Sequence, residues 1–234
     1  MTNTENNPNL LAQFRPPGFP GSYFLSFEGI EGAGKSTQII KAKETLESRG
    51  FRVLVLREPG GTVFGEKLRT AVLSATTQLH PLAEAYLFAS SRVQLLNDVI
   101  LKELNTPGTI IICDRYIDSS LAYQGVARGL GIGVVLEIHQ NFPLHLVPHL
   151  TLYLRIDTET SMKRQKMRNA PKDYFEAQGP EFYEKLVNGY DRARDLFPER
   201  IRTIDASKDF ESVQKEILAA LDGLLLQERQ NEDA

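Results

Sequence analysis

The chain has 234 residues, a formal net charge of −3 and charged and apolar fractions of 24% and 41%. That is enough for one sizeable α/β core and gives no general reason to expect a nucleic-acid partner. A single cysteine, Cys113, excludes an internal disulfide and a cysteine-based structural zinc site, in keeping with a reducing compartment, and no apolar run approaches the roughly eighteen residues a membrane span needs.

Residues 1–21 are polar and Asn-rich, then crowded with Pro16, Pro17 and Pro20, and they predict a loose tail. They lack the basic start, apolar stretch and small-residue cleavage site of a signal peptide. Residues 23–28 form a short apolar strand that runs into Gly29; four residues on come Gly34, Lys35 and Ser36. Ile39, Ile40, Ala42 and Leu46 then supply the apolar stripe of a helix over 36–49, with Gly50 as its stop. G-x-x-x-x-G-K-[ST] between a strand and a helix is the setting of a phosphate-binding loop. The segment Gly29, Glu31, Gly32, Ala33, Gly34, Lys35, Ser36, Thr37 has a mechanism. The glycines let the backbone wrap closely and aim its N–H groups inward, and the helix adds the positive end of its dipole. Lys35 reaches terminal phosphates, and the Ser36 hydroxyl holds magnesium.

A second buried strand over 51–56 completes a strand–helix–strand unit, which implies a right-handed crossover and a parallel sheet. REPGGT, residues 57–62, stands at its carboxyl end, where open α/β sheets put their ligands. Helices follow over 64–73 and 83–104, then a third apolar strand over 109–113 with Asp114, Arg115 and Tyr116 at its end. Next come a helical piece from Ser119, a turn punctuated by Gly125, Gly129, Gly131 and Gly133, and a helix over 134–141. A fourth strand covers 150–156, a basic helix 158–168 and a polar loop 169–180. A helix over 181–196, a short strand over 202–204 and a closing helix over 210–228 end the pattern. Strands separated by helices throughout predict an α/β fold, a doubly wound parallel sheet of about five strands with helices on both faces.

An aspartate after an apolar strand, downstream of a phosphate loop, is placed to help hold magnesium beside a nucleotide, and Asp114 fits; its plainer reading is a cap for the helical piece near Ser119. Arg115 faces the same cleft, with a guanidinium that grips phosphate oxygens in two prongs. In the basic helix, Arg164 and Arg168 share a face while Lys166 points elsewhere, and the adjoining loop could close as a lid over about 164–180. Phe88 and Arg92 are four apart on one helix and could stack a base and bond its edge. Spacing alone favours a core phenylalanine with a surface arginine. The four histidines are scattered and read as structural, and Cys113 as core packing.

Together these motifs resemble the thymidylate kinase family, which phosphorylates dTMP to dTDP with ATP in dTTP synthesis. The likeness runs from about Tyr23 to the last helix and rests on FEGIEGAGKST at 27–37, REPGGT at 57–62, LFASSRVQ at 87–94, DRYIDSSLAYQG at 114–125 and the basic helix with its loop. It implies a P-loop kinase fold from residue 22 onward, magnesium as cofactor, ATP and dTMP as partners, a homodimer and a cytoplasmic location. By resemblance Lys35, Arg115, Arg164 and Arg168 are catalytic, Ser36 and Asp114 serve the metal, and Glu31 lies near the 3′-hydroxyl of the acceptor sugar. Arg57, Arg69 and Arg115 address the acceptor phosphate, Phe88 stacks on thymine, and Arg92 reaches its exocyclic oxygen. Ser120, Tyr123 and Gln124 complete the nucleoside pocket. With Gly32 in the loop and its basic residues before the lid, the chain resembles the lid-arginine class of bacteria. It departs at Lys166, where relatives often carry arginine, and at Tyr174, which follows Asp173 where relatives often carry arginine.

A nucleoside monophosphate offers an oxygen already anionic at neutral pH, since the second phosphate pKa is about 6, so no general base is needed and the task becomes bringing two anions together. Two rivals stay open at this point. A deoxynucleoside kinase on a similar fold would need a carboxylate base, for which Glu28 is the candidate. A nucleotide-binding switch would bind without transfer, though the chain has no Asn-Lys-x-Asp guanine signature.

Overall fold

The structure, a computed structural model, describes residues 7–168 and 174–232. Five parallel strands, β1 (Tyr23–Glu28), β2 (Arg52–Arg57), β3 (Thr109–Asp114), β4 (Leu150–Arg155) and β5 (Ile201–Asp205), lie in the order β2-β3-β1-β4-β5. Every residue of β1 is buried, as is nearly all of β3 and β4, because helices cover both faces of a parallel sheet. β2 is an edge strand and accordingly alternates. Among the described residues no helix is long and apolar enough to cross a membrane.

The chain leaves β1 for β2 on one side and returns past β1 to β4 on the other. The order of the strands therefore reverses beside β1, and ligands of such sheets lie beyond the carboxyl ends at that point. Register puts Asp114 opposite both Phe27 of β1 and Arg57 of β2, so the three motif-bearing loops open side by side.

The helices are α1 (Pro8–Leu11), α2 (Lys35–Ser48), α3 (Val63–Leu73), α4 (Pro81–Leu95), α5 (Leu101–Leu104), α6 (Ile117–Ser120), α7 (Ile132–His139), α8 (Thr158–Arg168), α9 (Pro180–Leu196) and α10 (Phe210–Glu232). On α2, Ile39, Ala42 and Leu46 are buried as expected, but Ile40 is 61% exposed. It follows Ile39 by one residue, which turns it about 100° away from the core stripe. The helix expected over 83–104 starts earlier, at Pro81 behind a His80 cap, and is interrupted by a π-helical turn at Leu96–Ile100. A second π-helical segment, Leu121–Ala127, replaces part of the expected glycine turn and carries Tyr123 and Gln124. Such widened turns recur at functional sites.

The loose tail expected over 1–21 is not what residues 7–21 form. Asn7 caps α1, Leu10 and Phe14 are buried, Phe14 meets Phe197 edge-on at 6.0 Å between ring centres, and Arg15 forms a bridge with Leu146. Two apolar side chains four apart are enough to dock a segment whose average composition is polar, at about 1.5–3 kcal/mol for each buried side chain. Residues 1–6 lie outside the described residues, as do 169–173 of the expected lid.

Candidate active site

The phosphate loop bends where only glycine is comfortable. Gly29 has φ +133°, and a Cβ there would lie 2.4 Å from the Leu154 carbonyl oxygen of β4. At Gly32, φ is +81° and a Cβ would press on α8, 3.1 Å from the Ser161 carbonyl and 3.3 Å from the Arg164 Cβ. The basic helix thus sits where a side chain from the loop would otherwise project. α2 begins at Gly34 with no side chain to cap it, so its amino end is left open to an anion in the cavity lined by Gly34, Lys35, Ser36 and Thr37.

Lys35 Nζ donates to the Gly29 carbonyl at 3.0 Å and the Ile30 carbonyl at 3.4 Å, and Arg115 Nη1 donates to the same Gly29 oxygen at 3.0 Å. Burial, then the nearby Arg115 charge, lowers Lys35 from 10.5 to about 8 against the opposing pull of Asp114, Glu31 and Glu28. Two cations crowded on one neutral carbonyl make a site that favours a multiply charged anion. Asp114 lines this cavity, and among the described residues its buried Oδ1 has no hydrogen-bond partner. It does not cap α6: the residue at that position is Tyr116, whose side chain makes no capping bond.

Arg115 has φ +71°, the one non-glycine residue in the left-handed region among the described residues. Strain of that kind costs about 1–3 kcal/mol and persists where the surroundings hold it. Here they do: the guanidinium donates to Tyr190 Oη at 2.9 Å, lies 3.6 Å from Glu31 and packs 5.3 Å over the Tyr123 ring.

A second cavity adjoins the first. Phe88, Arg92, Ser120, Tyr123 and Gln124 line it, with Tyr116, Ser119, Phe175, Phe182, Tyr183 and Leu186. Glu31, Glu58, Arg69, Arg115 and Glu176 line both, so the seam between the cavities carries two arginines. Arg57 lines the phosphate-loop side, paired with Glu66 at 2.8 Å, and Arg69 donates to the Pro59 carbonyl at 3.2 Å. Burial raises Glu31, but Lys35, Arg115 and Arg168 outweigh it and hold the carboxyl below the usual range.

The plainer reading of Phe88 and Arg92 is reversed. Phe88 is half-buried at the cavity, whereas Arg92 is 1% exposed, with Glu58 taking its Nε at 2.8 Å and Tyr116 stacked 4.7 Å below. Burial works against the guanidinium charge; the Glu58 carboxylate more than offsets it. Gln124 does not turn freely, since its Nε2 donates at 2.7 Å to the buried Glu84.

The two arginines of α8 part company. Arg168 reaches Glu31 and Glu176 and lines the phosphate-loop cavity. Arg164 lines neither cavity; it donates at 3.1 Å to the Gly32 carbonyl and at 3.1 Å to the Ala206 carbonyl, tying the loop to the turn after β5. Phe175 lines the second cavity and Tyr174 turns to its outer side: Arg128 lies 4.9 Å over the Tyr174 ring, 5.5 Å over Phe175 and 5.1 Å over Phe182, and the Leu79 N–H donates to Tyr174 Oη at 3.1 Å.

Glu28 is fully buried, lines neither cavity, and accepts from the Tyr116 N–H at 2.7 Å, Ser119 Oγ at 2.6 Å and Tyr190 Oη at 3.2 Å. It supports the Arg115 cluster from below and is not placed to take a proton from an acceptor. Burial, then Asp118, raises its carboxyl from 4.5 to about 7. A raised acid stabilises the fold fully below the unfolded value and loses that contribution as pH rises through the folded one. Glu28→Gln cannot ionise, so between pH 5 and pH 8.5 it should gain on the parent by about 2 kcal/mol. Thermal unfolding of both proteins across that range checks it, and parallel curves would count against it.

Sequence reasoning passed over Glu58, Phe175, Glu176, Phe182, Tyr183 and Leu186. Glu58 lay inside a quoted motif, and Tyr183 and Leu186 follow a helical three-residue spacing; Phe175 and Glu176 carry no such signal. The family profile described as Thymidylate kinase matches residues 27–217. A protein named Thymidylate kinase from Thermoanaerobacter sp. (strain X514) is 42% identical over 195 residues, 83% of this chain and 95% of the relative. One of the same name from Chlorobaculum tepidum is 38% identical over 208 residues, 86% and 97% of the two chains. The crystal structure of thymidylate kinase from Ehrlichia chaffeensis matches with a TM-score of 0.68 and 29% identity, covering 87% of this chain and 99% of that one. With a profile reaching from the phosphate loop into the last helix and relatives matched over nearly their whole length, this chain belongs to the thymidylate kinase family.

Proposed function

We propose that this protein transfers the γ-phosphoryl group of ATP in line to the 5′-phosphate of dTMP, giving ADP and dTDP for dTTP synthesis. The observation that carries the reading is the seam: two cavities, one built on a phosphate loop and one on aromatic and hydrogen-bonding side chains, meet at Arg69 and Arg115. ATP phosphates lie along the open end of α2 with Lys35, and the pyrimidine packs on Phe88 with Arg92 at its edge and Ser120, Tyr123 and Gln124 around the nucleoside. Arg57, Arg69 and Arg115 receive the acceptor phosphate, and Glu31 sits by the sugar. Asp114, whose buried Oδ1 has no partner among the described residues, and Ser36 line one cavity and would hold magnesium, which would neutralise phosphate charge there.

No general base is required, because the attacking oxygen is already an anion; the chain supplies cations and shields the reaction from water. Residues 164–180 act as the lid. Arg168 supplies its charge directly, Arg164 holds the loop in shape through the Gly32 carbonyl, and Phe175 covers the acceptor side. The protein works as a homodimer in the cytoplasm. Exposed Val63, Phe64 and Tyr86 on α3 and α4 support the pairing surface, and the buried lone Cys113 supports a reducing compartment.

A coupled assay of ADP release with dTMP, dUMP, dCMP, AMP, GMP and thymidine as acceptors tests this. dTMP should lead; no preference for it defeats the substrate assignment, and turnover of thymidine would point to a nucleoside kinase.

A further inference from the structure

His139 stands on α7, outside every motif and away from the nucleotide loops, yet it is fully buried against the arginine at the base of the acceptor-side cavity. Its Nδ1 lies 2.7 Å from the Val135 carbonyl oxygen, which can only accept, so Nδ1 carries the ring proton. That leaves Nε2 as a bare lone pair, 2.7 Å from Arg92 Nη1, which donates to it. Burial, then the Arg92 charge, pushes His139 from 6.5 down to about 3, so this tautomer persists at any ordinary working pH.

A guanidinium has five N–H groups in one rigid plane. For Arg92, Nε and Nη2 donate to Glu58 Oε2, Nη2 also donates to Ser120 Oγ at 3.2 Å, and Nη1 donates to His139. Among the described residues one N–H on Nη1 is left over, and the side chain that carries it lines the acceptor-side cavity. The plane is pinned from three sides, by residues on three separate stretches of chain. A carboxylate at position 139 would add a second anion to a guanidinium already neutralised by Glu58; a neutral imidazole with its proton turned away accepts one hydrogen and adds no charge.

We propose that His139 is a specificity-positioning residue: by taking one Nη1 hydrogen of Arg92 on its unprotonated Nε2, it aims the remaining Nη1–H at the 4-position of the pyrimidine. The pocket then takes a 4-oxo base, which presents an acceptor, and turns away a 4-amino base, which presents a second donor. The inference rests on the reading of the Phe88–Arg92 cavity as the nucleobase pocket.

Sites built to hydrogen-bond a particular group reject an analogue lacking it by about 10⁴–10⁵ in kcat/KM. The test separates the two ends of the imidazole. His139→Gln brings an amide oxygen to where Nε2 was and keeps the acceptor for Arg92. His139→Asn keeps a short donor towards Val135 and withdraws the acceptor. kcat and KM are measured for dTMP, dUMP and dCMP, with thermal unfolding to confirm that each variant is folded. The expected result is a dTMP/dCMP ratio lowered about 10- to 100-fold in His139→Asn, mainly through a higher KM for dTMP, and within about threefold of the parent in His139→Gln. The dTMP/dUMP ratio, which reports the 5-methyl group, should stay put in both.

Equal ratios in both variants, or equal losses in both, overturn the role of His139, because a purely structural histidine would not distinguish them. Arg92→Met separates this from the underlying reading. If that variant loses the dTMP/dCMP preference while His139→Asn retains it, the pocket is right and the positioning role is wrong. If Arg92→Met also keeps the preference, the pocket assignment itself has failed.

Discussion

Replacing Lys35 with alanine should lower kcat for dTDP formation about a thousandfold at saturating ATP and dTMP, and Arg115→Gly should do the same. In phosphoryl transfer the protein contributes position and charge. One preorganised donor at a developing anion is worth roughly 10²–10³ in rate, and an arginine on the transferred group 10³–10⁵. Both cations converge on the Gly29 carbonyl, so the fold itself holds them side by side. Glycine is the sharper choice at 115: the backbone there has φ +71°, which glycine adopts without strain, so the charge is removed while the turn is left intact. The double variant should lose less than the product of the two factors, as expected of side chains that act on one phosphoryl group. The assay is steady-state ADP production, with circular dichroism and unfolding curves for each protein. Folded single variants within threefold of the parent would remove the basis for the mechanism.

Arg200→Met should destabilise the protein by about 3–5 kcal/mol, the usual cost of leaving a buried carboxylate without its partner. Arg200 is 4% exposed and Asp118 1%. Nη1 donates to Asp118 Oδ2 at 2.8 Å and Thr151 Oγ1 at 2.9 Å, Nη2 to Asp118 Oδ1 at 2.6 Å, and Thr151 in turn meets Ser26 at 2.8 Å. The cluster joins β1, β4, α6 and the run before β5, and α6 also carries Ser119 and Ser120 of the second cavity. At roughly 2–4 °C per kcal/mol for a chain of this size, Tm should fall by about 10 °C. Arg200→Met with Asp118→Leu should recover most of the loss, because a buried ion pair and an apolar pair of similar volume are often close in stability. A loss under 1 kcal/mol in the single variant would show that Asp118 finds water or another partner.

Much of the architecture could be read in advance. Tyr23–Glu28 and Thr158–Arg168 begin and end at the expected residues, and the other strands shift by a residue or so, because apolar runs and helical spacing are local properties. The π-helical segments escaped, since a widened turn has no distinct spacing and here depends on the helices packed against it. So did the docking of residues 7–21, whose two apolar side chains are diluted by polar neighbours. Arg92 misled in the most instructive way. An isolated arginine on a helix belongs at the surface, and Glu58, His139 and Ser120, 34, 47 and 28 residues away along the chain, together with the Tyr116 ring, make its burial tolerable.

Phosphate loop, parallel sheet and the identity of the motif arginines were all written in contiguous stretches, because a strand–turn–helix is assembled from neighbours and its anion site comes mostly from backbone. Which arginine lines the cleft and which braces the loop, which carboxylates are buried, and which imidazole nitrogen faces a guanidinium emerged only once crossover connections had carried distant residues together. Burial and pairing energies belong to those long-range meetings, and the order of residues along the chain does not record them.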